Sequence, residues 1–539
     1  MNTLDDYNKM RGGYYTPQII SQFIAKWALR DKSESVLEPS CGDGNILKEV
    51  VKRKKELGAS SEEILQSTLG IELDPKESEK AKISGAFIEN TDFFTYYKER
   101  IYNKRKYDII VGNPPFIRYQ NFNNEYREIA FEMLGELGFK PSKLMNIWVP
   151  FLILSSYALK EDGRIAMVIP AELFQVNYSA ETRKFLSDYF DKITVITFKE
   201  LVFKDIQQEV IILLGECKSN NKGIQVMELQ NANDLSDLTE QSFNNFEIKD
   251  LDHTDEKWIK YYLTNEEIHL MRTLRNSDCF INTTELFEIN VGVVSGQNDF
   301  FILNEEDVKE NNLKNSVVNI ISKSEQLKGI ILKEEDFTQL IQSGKKVFFF
   351  SPEDKPIEEL NKFEANYIRL GESKNYHTGY KCRIRKRWYV VPKSWKPEGF
   401  ILRQVNKFPK IIYNDVGALS TDTIHKIRFC DGVSPEYVTA AFLNSFTLAL
   451  SEITGRSYGG GVLTFEPGEI RKLKIPMNGA ERIDFNRINN WILKGDIDKV
   501  LEYNDKILLE DSLGMSTEDI MLLRGIWDKL RDRRLNRRK

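Results

Sequence analysis

The segment Tyr107–Phe116, which reads YDIIVGNPPF, constrains the fold of this chain more than any other stretch. It begins with a short apolar run rich in β-branched side chains, typical of a buried strand, and the run stops at Gly112. The two prolines that follow fix their own φ and disfavour the helical region for the residue before each of them. We therefore expect Asn113 and Pro114 to be extended at the carboxyl end of a strand, with an amide oxygen and a backbone carbonyl as acceptors.

Two acceptors beside the aromatic ring of Phe116 suit a planar exocyclic amine. The alternative is an ordinary strand-to-loop turn that happens to contain two prolines. The tetrapeptide Asn113–Phe116 alone leaves both interpretations open.

A strand, a glycine loop and a helix are predicted earlier in the chain. Ser35–Leu37 has the pattern of a strand, Glu38–Gly44 (EPSCGDG) that of a tight loop, and Asn45–Leu57 that of a helix. In this arrangement the backbone approaches a nucleotide-like ligand closely. The carboxylates of Glu38 and Asp43 would repel a phosphate, so the loop favours a ligand with a positive centre or an amino group.

Two further acids follow predicted strands. Glu72 lies near the end of the strand pattern in Leu69–Pro75, and Asp92 lies in Asn90–Phe94. A carboxylate at the end of the second strand of a βαβ unit is placed to accept the hydroxyls of a ribose. Each acid alone is more often a solvated turn residue. Four such segments at strand ends, in this order, favour a nucleotide-type binding site.

These segments resemble those of the gamma-class (TaqI-like) DNA adenine-N6 methyltransferases of restriction-modification type. The resemblance covers the first half of the chain, and the order of the motifs also matches. It implies an α/β fold: a Rossmann-like S-adenosylmethionine-dependent methyltransferase sheet with an antiparallel final hairpin, followed by a mixed α+β target-recognition domain and a helical tail. One departure is Phe116, where the type enzyme has tyrosine, so a hydroxyl is lost and the ring face is kept.

The resemblance also implies the cofactor, S-adenosyl-L-methionine, and roles for single residues. It implies that Thr16 binds the cofactor carboxylate and that Glu72 binds its ribose. Gly13–Pro17 matches the N-terminal cofactor motif, and Gln208 belongs to the segment that supplies a second aromatic ring against the target base. The complete cofactor set is Tyr15, Thr16, Pro17, Glu38, Ser40, Cys41, Gly42, Glu72, Asp92, Phe93 and Asn113, and the catalytic set is Asn113, Pro114, Pro115, Phe116 and Phe203.

The chemistry of Asn113 and Pro114 can be argued from the residues themselves. An adenine amino group is a poor nucleophile because its lone pair is delocalised into the ring. The Asn113 side-chain oxygen and the Pro114 carbonyl can each accept one of its N–H bonds, which directs the lone pair at a methyl sulfonium. Orientation and electrostatic stabilisation then supply the rate. A base must leave the duplex to reach such a pocket, which costs a few kcal/mol. Stacking of the base on Phe116 and Phe203 would offset part of this cost by about 1–3 kcal/mol per base.

We therefore predict a site-specific DNA methyltransferase that modifies the 6-amino group of a flipped-out adenine within a restriction-modification system. Three alternatives remain open. Asn-Pro-Pro-aromatic segments also occur in protein-glutamine methyltransferases, so the tetrapeptide alone does not determine the substrate, which could also be RNA or a glutamine amide. The enzyme could be a solitary epigenetic methylase, or the chain could be a non-catalytic DNA-binding subunit that retains the fold.

Composition fits a bacterial or archaeal cytoplasmic enzyme. The chain has no apolar run of about 20 residues, and its N-terminus does not have the pattern of a signal peptide. The five cysteines are scattered without a C-x-x-C pair, and no cysteine or histidine spacing predicts a metal site. We expect reduced thiols, no metal and no membrane association.

Double-stranded DNA is predicted as a partner although the net charge is −5. Lys374–Lys410 contains eleven lysines or arginines and one acid, Glu398. A solvated charged face is the alternative, but interleaved aromatic residues favour a surface that follows phosphates. The predicted DNA contacts are Arg383, Arg385, Arg387, Trp388 and Tyr458. A separately encoded restriction endonuclease is a second expected partner, and the basic run Lys529–Lys539 is either a phosphate contact or a free helix end.

Three regions are predicted along the 539 residues. Residues 1–245 form the S-adenosylmethionine-binding catalytic domain, 246–480 the DNA target-recognition domain, and 481–539 a helical segment with a basic tail. Asn231–Asn245 is polar and is predicted to be a linker. The predicted elements of the second half are strands in Ile289–Gly296, Phe348–Phe350, Trp388–Val391 and Lys410–Tyr413 and helices at Arg482–Lys494, Asp496–Leu508 and Thr517–Asp532.

Overall fold

A computed structural model describes residues 15–203, 209–254, 256–392, 395–458 and 460–536. The predicted residues Gly13, Tyr14 and Gln208, and the side chain of Tyr458, lie outside this description. The chain divides into two compact units, the first ending at Asn265 and the second beginning at Glu266. Among the described residues, none of the helices combines the length and the hydropathy needed to cross a bilayer.

The first unit alternates strands with helices. Its strands are β1 Val36–Glu38, β2 Thr68–Glu72, β3 Phe87–Asn90, β4 Tyr107–Gly112, β5 Leu159–Pro170, β6 Lys192–Phe198, β7 Val210–Glu216 and β8 Gly223–Leu229. Its α-helices are α1 Gln18–Ala28, α2 Asn45–Glu56, α3 Ser61–Ser67, α4 Pro75–Ala81, α5 Phe93–Tyr96, α6 Asn124–Glu136, α7 Trp148–Tyr157, α8 Ala180–Tyr189 and α9 Glu240–Asn244.

The eight strands form one sheet in the order β3-β2-β1-β4-β5-β7-β6-β8. Neighbouring strands are parallel except β7, which is antiparallel to both β5 and β6. The inner strands β4, β6 and β7 are almost entirely buried, as expected where both faces of a sheet are covered, whereas the edge strand β3 is largely exposed. The strand order reverses between β1 and β4, and in such sheets ligands bind beyond the carboxyl ends of the strands at this point. The predicted Rossmann-like sheet is confirmed. The predicted antiparallel hairpin corresponds to β6 and β7, but it is not final, because β8 follows and pairs with β6 in parallel.

The polar segment Asn231–Asn245, predicted to be a linker, is folded onto the first unit instead. It forms a 3-10 turn at Ala232–Asp237 and then α9. Leu235 is buried in the core beside α1, and the ring of Phe243 stacks on that of Phe23 at 6.4 Å. Two well-placed apolar side chains outweigh the polar composition, so the boundary between the units lies after residue 245.

The second unit is a mixed α+β structure, as predicted. Its strands are β9 Phe280–Asn282, β10 Phe287–Asn290, β11 Ile302–Leu303, β12 Val317–Ile321, β13 Ile331–Leu332, β14 Phe348–Phe350, β15 Gly399–Leu402, β16 Gln404–Val405, β17 Ile411–Asn414, β18 Leu419–Ser420, β19 Ile424–Phe429, β20 Arg456–Tyr458, β21 Val462–Thr464 and β22 Lys474–Pro476. Its helices are α10 Asn265–Asn276, α11 Thr283–Leu286, α12 Asn298–Phe301, α13 Glu305–Glu310, α14 Glu334–Gln342, α15 Lys362–Ser373, α16 Tyr380–Arg383, α17 Pro435–Ala441, α18 Ser445–Thr454, α19 Pro467–Ile470, α20 Phe485–Lys494, α21 Ile497–Asp505 and α22 Thr517–Asn536.

The largest sheet of this unit has the order β10-β19-β15-β17-β13, and a second has the order β11-β14-β12-β18. The strand prediction at Phe348–Phe350 matches β14. The strand predicted at Trp388–Val391 is wrong: this segment is irregular, because its aromatic residues pack inward. The Trp388 ring lies 4.6 Å from that of Phe300, and the Tyr389 hydroxyl donates to the Lys355 carbonyl at 2.8 Å.

The C-terminal helices belong to the second unit and do not form a unit of their own. Helix α22 packs on α18, where the guanidinium of Arg534 forms a bidentate pair with the buried carboxylate of Glu452 at 2.7 and 3.0 Å. Lys529 pairs with Glu267 at 2.9 Å. The described part of the basic run, up to Asn536, is therefore docked rather than a free helix end, and residues 537–539 lie outside the description.

Candidate active site

A cavity of about 380 Å³ opens beyond the carboxyl ends of β1, β2 and β4. The sheet topology explains its position, because the reversal of strand order leaves a crevice there. Pro17 lies outside the cavity and precedes the first residue of α1. The predicted cofactor residues that line the cavity are Tyr15, Thr16, Glu38, Ser40, Cys41, Gly42, Glu72, Asp92, Phe93 and Asn113.

The glycine loop wraps one side of the cavity. Gly42 and Gly44 have φ of 53° and 78°, a region that favours glycine. A Cβ on Gly44 would lie 3.0 Å from the Cα of Ala81, so the loop also needs glycine for close packing. The Cys41 N–H donates to the Ile71 carbonyl at 2.9 Å, which ties the loop to β2. Burial raises the pKa of the Cys41 thiol, so this cysteine is a neutral part of the cavity wall.

Glu38 ends β1 and is almost fully buried. Within the described part of the chain, its carboxylate oxygen Oε2 is buried without a hydrogen-bond partner. Burial, together with the nearby carboxylates of Asp43 and Glu72, raises the pKa of Glu38 well above its usual value. A cationic ligand group would stabilise the ionised form of this buried carboxyl group.

Glu72 and Asp92 are held by backbone N–H groups. The Glu72 carboxylate accepts from Gly42 and from Asp74, both at 2.8 Å, and so connects β2 to the glycine loop. Asp92 caps α5 by accepting from the Thr95 N–H at 2.8 Å. Burial raises the pKa of Asp92 despite these bonds. Both carboxylates are oriented before any ligand arrives.

The segment Asn113–Phe116, predicted to be catalytic, follows β4 directly. The Asn113 side-chain amide donates from Nδ2 to Oγ1 of Thr16 at 3.2 Å. This bond directs the amide nitrogen toward Thr16 and presents the oxygen Oδ1 on the opposite side of the amide group. Pro114 is buried, and Pro115 lines the cavity. The N-terminal motif and the catalytic motif therefore meet at a hydrogen bond.

Phe116 and Phe203 do not line this cavity. Both pack in the same apolar cluster of the first unit, with Phe198 and Val210 among its buried members. Phe203 is 9% exposed. The structure thus brings the two rings into one cluster, and their contact with a target base stays a prediction.

Sequence reasoning missed several residues of the cavity wall. Ile117, Phe122, Asn123 and Phe151 also line it. The ring of Phe151 stacks on that of Phe93 at 5.1 Å with an interplanar angle of 16°. No local motif marks these residues, and Phe151 lies in a helix so apolar that it resembles ordinary core. The one available signal was that residues 117–123 directly follow the catalytic segment.

The predicted DNA contacts of the second unit fall into two groups. Arg385, Arg387 and Trp388 have partners within the unit: Arg385 donates to the carbonyl of Val294 at 2.7 Å, and Arg387 pairs with Asp354 at 2.5 Å. Trp388 packs in an aromatic cluster. Arg383 is exposed. Their contact with DNA is a proposal.

The strand order is that of a Rossmann-like methyltransferase. The glycine loop and the Asn-Pro-Pro-Phe segment, which lie together at the carboxyl ends of the strands, agree with this class. The sequence model of N-6 DNA methylases matches residues 2–325, more than half of the chain, and the chain belongs to this family. The model of the C-terminal domain of the Type II methyltransferase M.Eco57I matches residues 255–509.

Individual relatives agree with this assignment. The Type II methyltransferase M.AccI of Acinetobacter calcoaceticus is 25% identical over 490 residues, 87% of this chain and 85% of that protein. M.HindII of Haemophilus influenzae is 25% identical over 330 residues, 58% of this chain and 60% of that protein. The Type IIL restriction-modification enzyme MmeI in complex with DNA shares the fold, with a TM-score of 0.56 at 10% identity over 93% of this chain and 73% of that one. The prediction of an adenine-specific DNA methyltransferase of restriction-modification type is confirmed.

Proposed function

We propose that this protein transfers the methyl group of S-adenosyl-L-methionine to the 6-amino group of an adenine flipped out of double-stranded DNA at one recognition sequence. The observation that carries the proposal is the meeting of two motifs in one cavity. The Asn113 amide and the glycine loop both line it, and Thr16 joins the N-terminal motif to Asn113.

The donors and acceptors of the cavity fit S-adenosyl-L-methionine. The unpartnered carboxylate oxygen of buried Glu38 suits the ammonium group of the methionine part. The Thr16 hydroxyl, which accepts from Asn113, keeps its own proton to donate to the cofactor carboxylate. A ligand with several phosphates would meet the carboxylates of Glu38, Glu72 and Asp92, and the described residues of the wall include no lysine or arginine.

The nucleoside part suits the other wall. The oriented carboxylate of Glu72 can accept from ribose hydroxyls, and Phe93 and Phe151 offer apolar ring surface to a purine. When bound, the cofactor supplies an electrophilic methyl group on a sulfonium. The residues of this chain supply orientation and charge complementarity.

Asn113 and Pro114 act on the amine of the substrate. The Asn113 Oδ1 and the Pro114 carbonyl each accept one N–H of the adenine amino group, which gives the nitrogen tetrahedral character and directs its lone pair. Such fixed acceptors stabilise the charge that develops on the nitrogen in the transition state. Phe116 and Phe203 stack on the flipped base.

The biological setting follows from the same chemistry. The relatives are named Type II methyltransferases, which supports a modification enzyme paired with a separately encoded restriction endonuclease of the same specificity. Its substrate is the DNA of its own host, so we place the enzyme in the cytoplasm.

The direct test is modification of DNA by the purified protein. The enzyme is incubated with S-adenosyl-L-methionine and an unmethylated plasmid, and base-modification sequencing reads the product. We expect N6-methyladenine within one short sequence. Unmodified DNA, or a modified base other than adenine, would contradict the proposal.

A further inference from the structure

The second unit carries an open groove that is separate from the cofactor cavity. Its walls come from two segments, residues 292–294 after β10 and residues 381–392 in and after α16, and its volume is about 720 Å³. Asp354 is its acidic lining residue, and the ion pair with Arg387 neutralises this charge. The groove therefore has a cationic character within a chain of net charge −5.

Arg385 holds the two walls together. Its guanidinium donates to the carbonyls of Val294 and Ser295, both at 2.7 Å. From the other side, the Val293 N–H donates to the Ser420 carbonyl at 2.6 Å, which fixes the same segment to β18. All of these contacts are internal, so Arg385 shapes the groove and is not its free cation.

The backbones of the two walls also approach closely. Gly296 has φ of 78°, and a Cβ at this position would lie 2.6 Å from the Cβ of Lys381. This position needs a glycine because of its positive φ and because of the close approach to Lys381. The groove is therefore preorganised, and a ligand would not have to order it.

Exposed apolar side chains line this groove or adjoin it: Val294 and Ile384 are lining residues, and Tyr380 directly precedes the lining residue Lys381. Tyr380 is 65% exposed, Ile384 is 61% exposed and Val294 is 39% exposed. The exposed cation Lys386 lines the groove, and the exposed Arg383 directly precedes the lining residue Ile384. In the part of the chain that the structure describes, neither cation has an ion-pair partner.

This combination favours base contacts as well as phosphate contacts. A surface that only follows phosphates needs cations and hydrogen-bond donors. Exposed aliphatic side chains add nothing to that task, but they suit the C5-methyl group of thymine and other base edges in the major groove. The adjacent cations suit the flanking phosphates.

We propose that this groove contacts the target duplex and helps to determine the recognition sequence. Ile384, Tyr380 and Val294 contact base edges, Arg383 and Lys386 contact phosphates, and Arg385 is a positioning residue. The inference rests on the proposed function, because it requires DNA to be the substrate.

The test uses the full-length protein with two variants at exposed positions, Ile384→Ala and Lys386→Gln. Each has a matched control on the exposed face of α20, Leu493→Ala and Lys494→Gln. The thermal unfolding midpoint of each variant verifies that it is folded. Each protein then methylates a pool of duplexes randomised around the recognition sequence, and sequencing reads the modified sites. DNA affinity is measured from 50 to 200 mM salt.

We expect Ile384→Ala to lose about tenfold of discrimination at one base pair while it still methylates adenine. Lys386→Gln should keep the wild-type sequence preference and lose roughly 0.9 from the log–log slope of affinity against salt. Both controls should match the wild-type protein.

Two failures can be told apart. If Ile384→Ala and Lys386→Gln both keep the wild-type sequence preference and salt slope, the inference is overturned. If the wild-type protein methylates no member of the pool, the proposed function itself fails.

Discussion

At the scale of single residues, the site depends on how one amide group is turned. The Asn113 amide can present either its nitrogen or its oxygen to a substrate, and only the oxygen accepts hydrogen bonds. The bond from Nδ2 to the Thr16 hydroxyl selects the useful orientation. Thr16 thus has a role beyond the one that its motif implies, because it positions Asn113 as well as lining the cavity.

Thr16→Val should therefore slow methyl transfer even when the cofactor site is saturated. Valine has nearly the same shape but no acceptor for the Asn113 Nδ2, and the loss of such a bond costs about 1–3 kcal/mol. We expect a rate about 10- to 100-fold lower in single-turnover experiments. Thr16→Ser, which keeps the hydroxyl, should retain most of the rate. If Thr16→Val has the wild-type rate at saturating cofactor, Thr16 does not position Asn113 for catalysis.

Glu38→Gln tests the Glu38 carboxylate, whose oxygen Oε2 has no hydrogen-bond partner among the described residues. The pKa of Glu38 is raised in the folded protein, so its stabilising contribution is present below the unfolded pKa and lost as the pH rises through the folded pKa. Without cofactor, the glutamine variant should therefore gain stability relative to the wild type as the pH rises above about 4.5. Urea unfolding at several pH values measures this difference.

The same substitution should weaken cofactor binding about 10- to 100-fold, because an ammonium group loses a charged partner. Calorimetry measures the affinity. Glu49→Gln, at a buried glutamate of α2 outside the cavity wall, is the control and should bind the cofactor normally. An unchanged affinity in Glu38→Gln would contradict the assigned role.

At the scale of elements, the first unit could be predicted closely from its sequence. The strand-loop-helix prediction placed a helix at Asn45–Leu57, and α2 ends one residue earlier. Local patterns suffice there, because strand propensity, glycine at positive φ and helix periodicity all agree. Trp388–Val391 has the composition of a strand, yet its rings pack on residues distant in sequence. No local pattern contains that information.

Asp505 shows how two helices are joined and gives a pH-dependent prediction. Its carboxylate, at the end of α21, accepts from the N–H of Ser445 at 2.8 Å and from its hydroxyl at 2.5 Å, at the start of α18. Burial raises the pKa of Asp505 to about 6, against the effects of the Ser445 bonds and of Arg524. Because the folded pKa is raised, the stability contributed by this group is present below about pH 4 and lost as the pH passes 6.

Relative to Asp505→Asn, the wild-type protein should thus lose up to about 3 kcal/mol of unfolding free energy between pH 4 and pH 7. Urea unfolding of both proteins across this range measures the difference, in which all other titrating groups cancel. A difference that does not vary with pH would show that the carboxyl group titrates normally.

At the scale of the whole molecule, the sequence indicated the order of the functional regions better than their boundaries. The segments predicted to bind the cofactor and to act in catalysis lie in the first unit, and the basic and aromatic segment lies in the second. The boundary and the docking of the C-terminal run depend on long-range contacts, such as the pairing of Arg534 with Glu452. Composition alone makes Lys529–Lys539 resemble a solvated tail.

Base flipping is a prediction for the enzyme and its duplex together. A fluorescent adenine analogue at the target position should brighten when the enzyme binds, because the base leaves the stack. Phe203→Leu should reduce this signal, since stacking on the ring is lost while apolar volume is kept. Phe198→Leu, at a phenylalanine of the same apolar cluster, is the control and should behave as the wild type. If the wild type, Phe203→Leu and Phe198→Leu show equal fluorescence and turnover, Phe203 has only a structural role.

The central claim is that the oxygen of Asn113 acts on the amine that receives the methyl group. The most direct measurement is the single-turnover rate of Asn113→Ala on its target duplex at saturating cofactor, with cofactor affinity measured by calorimetry. Asn123→Ala is the matched control, because Asn123 lines the same cavity but caps α6 through the Glu125 N–H. We expect Asn113→Ala to bind the cofactor within a few-fold of the wild type and to lose at least about 100-fold in rate, or roughly 3–4 kcal/mol, while Asn123→Ala keeps its rate. A near-normal rate in Asn113→Ala would contradict the central claim.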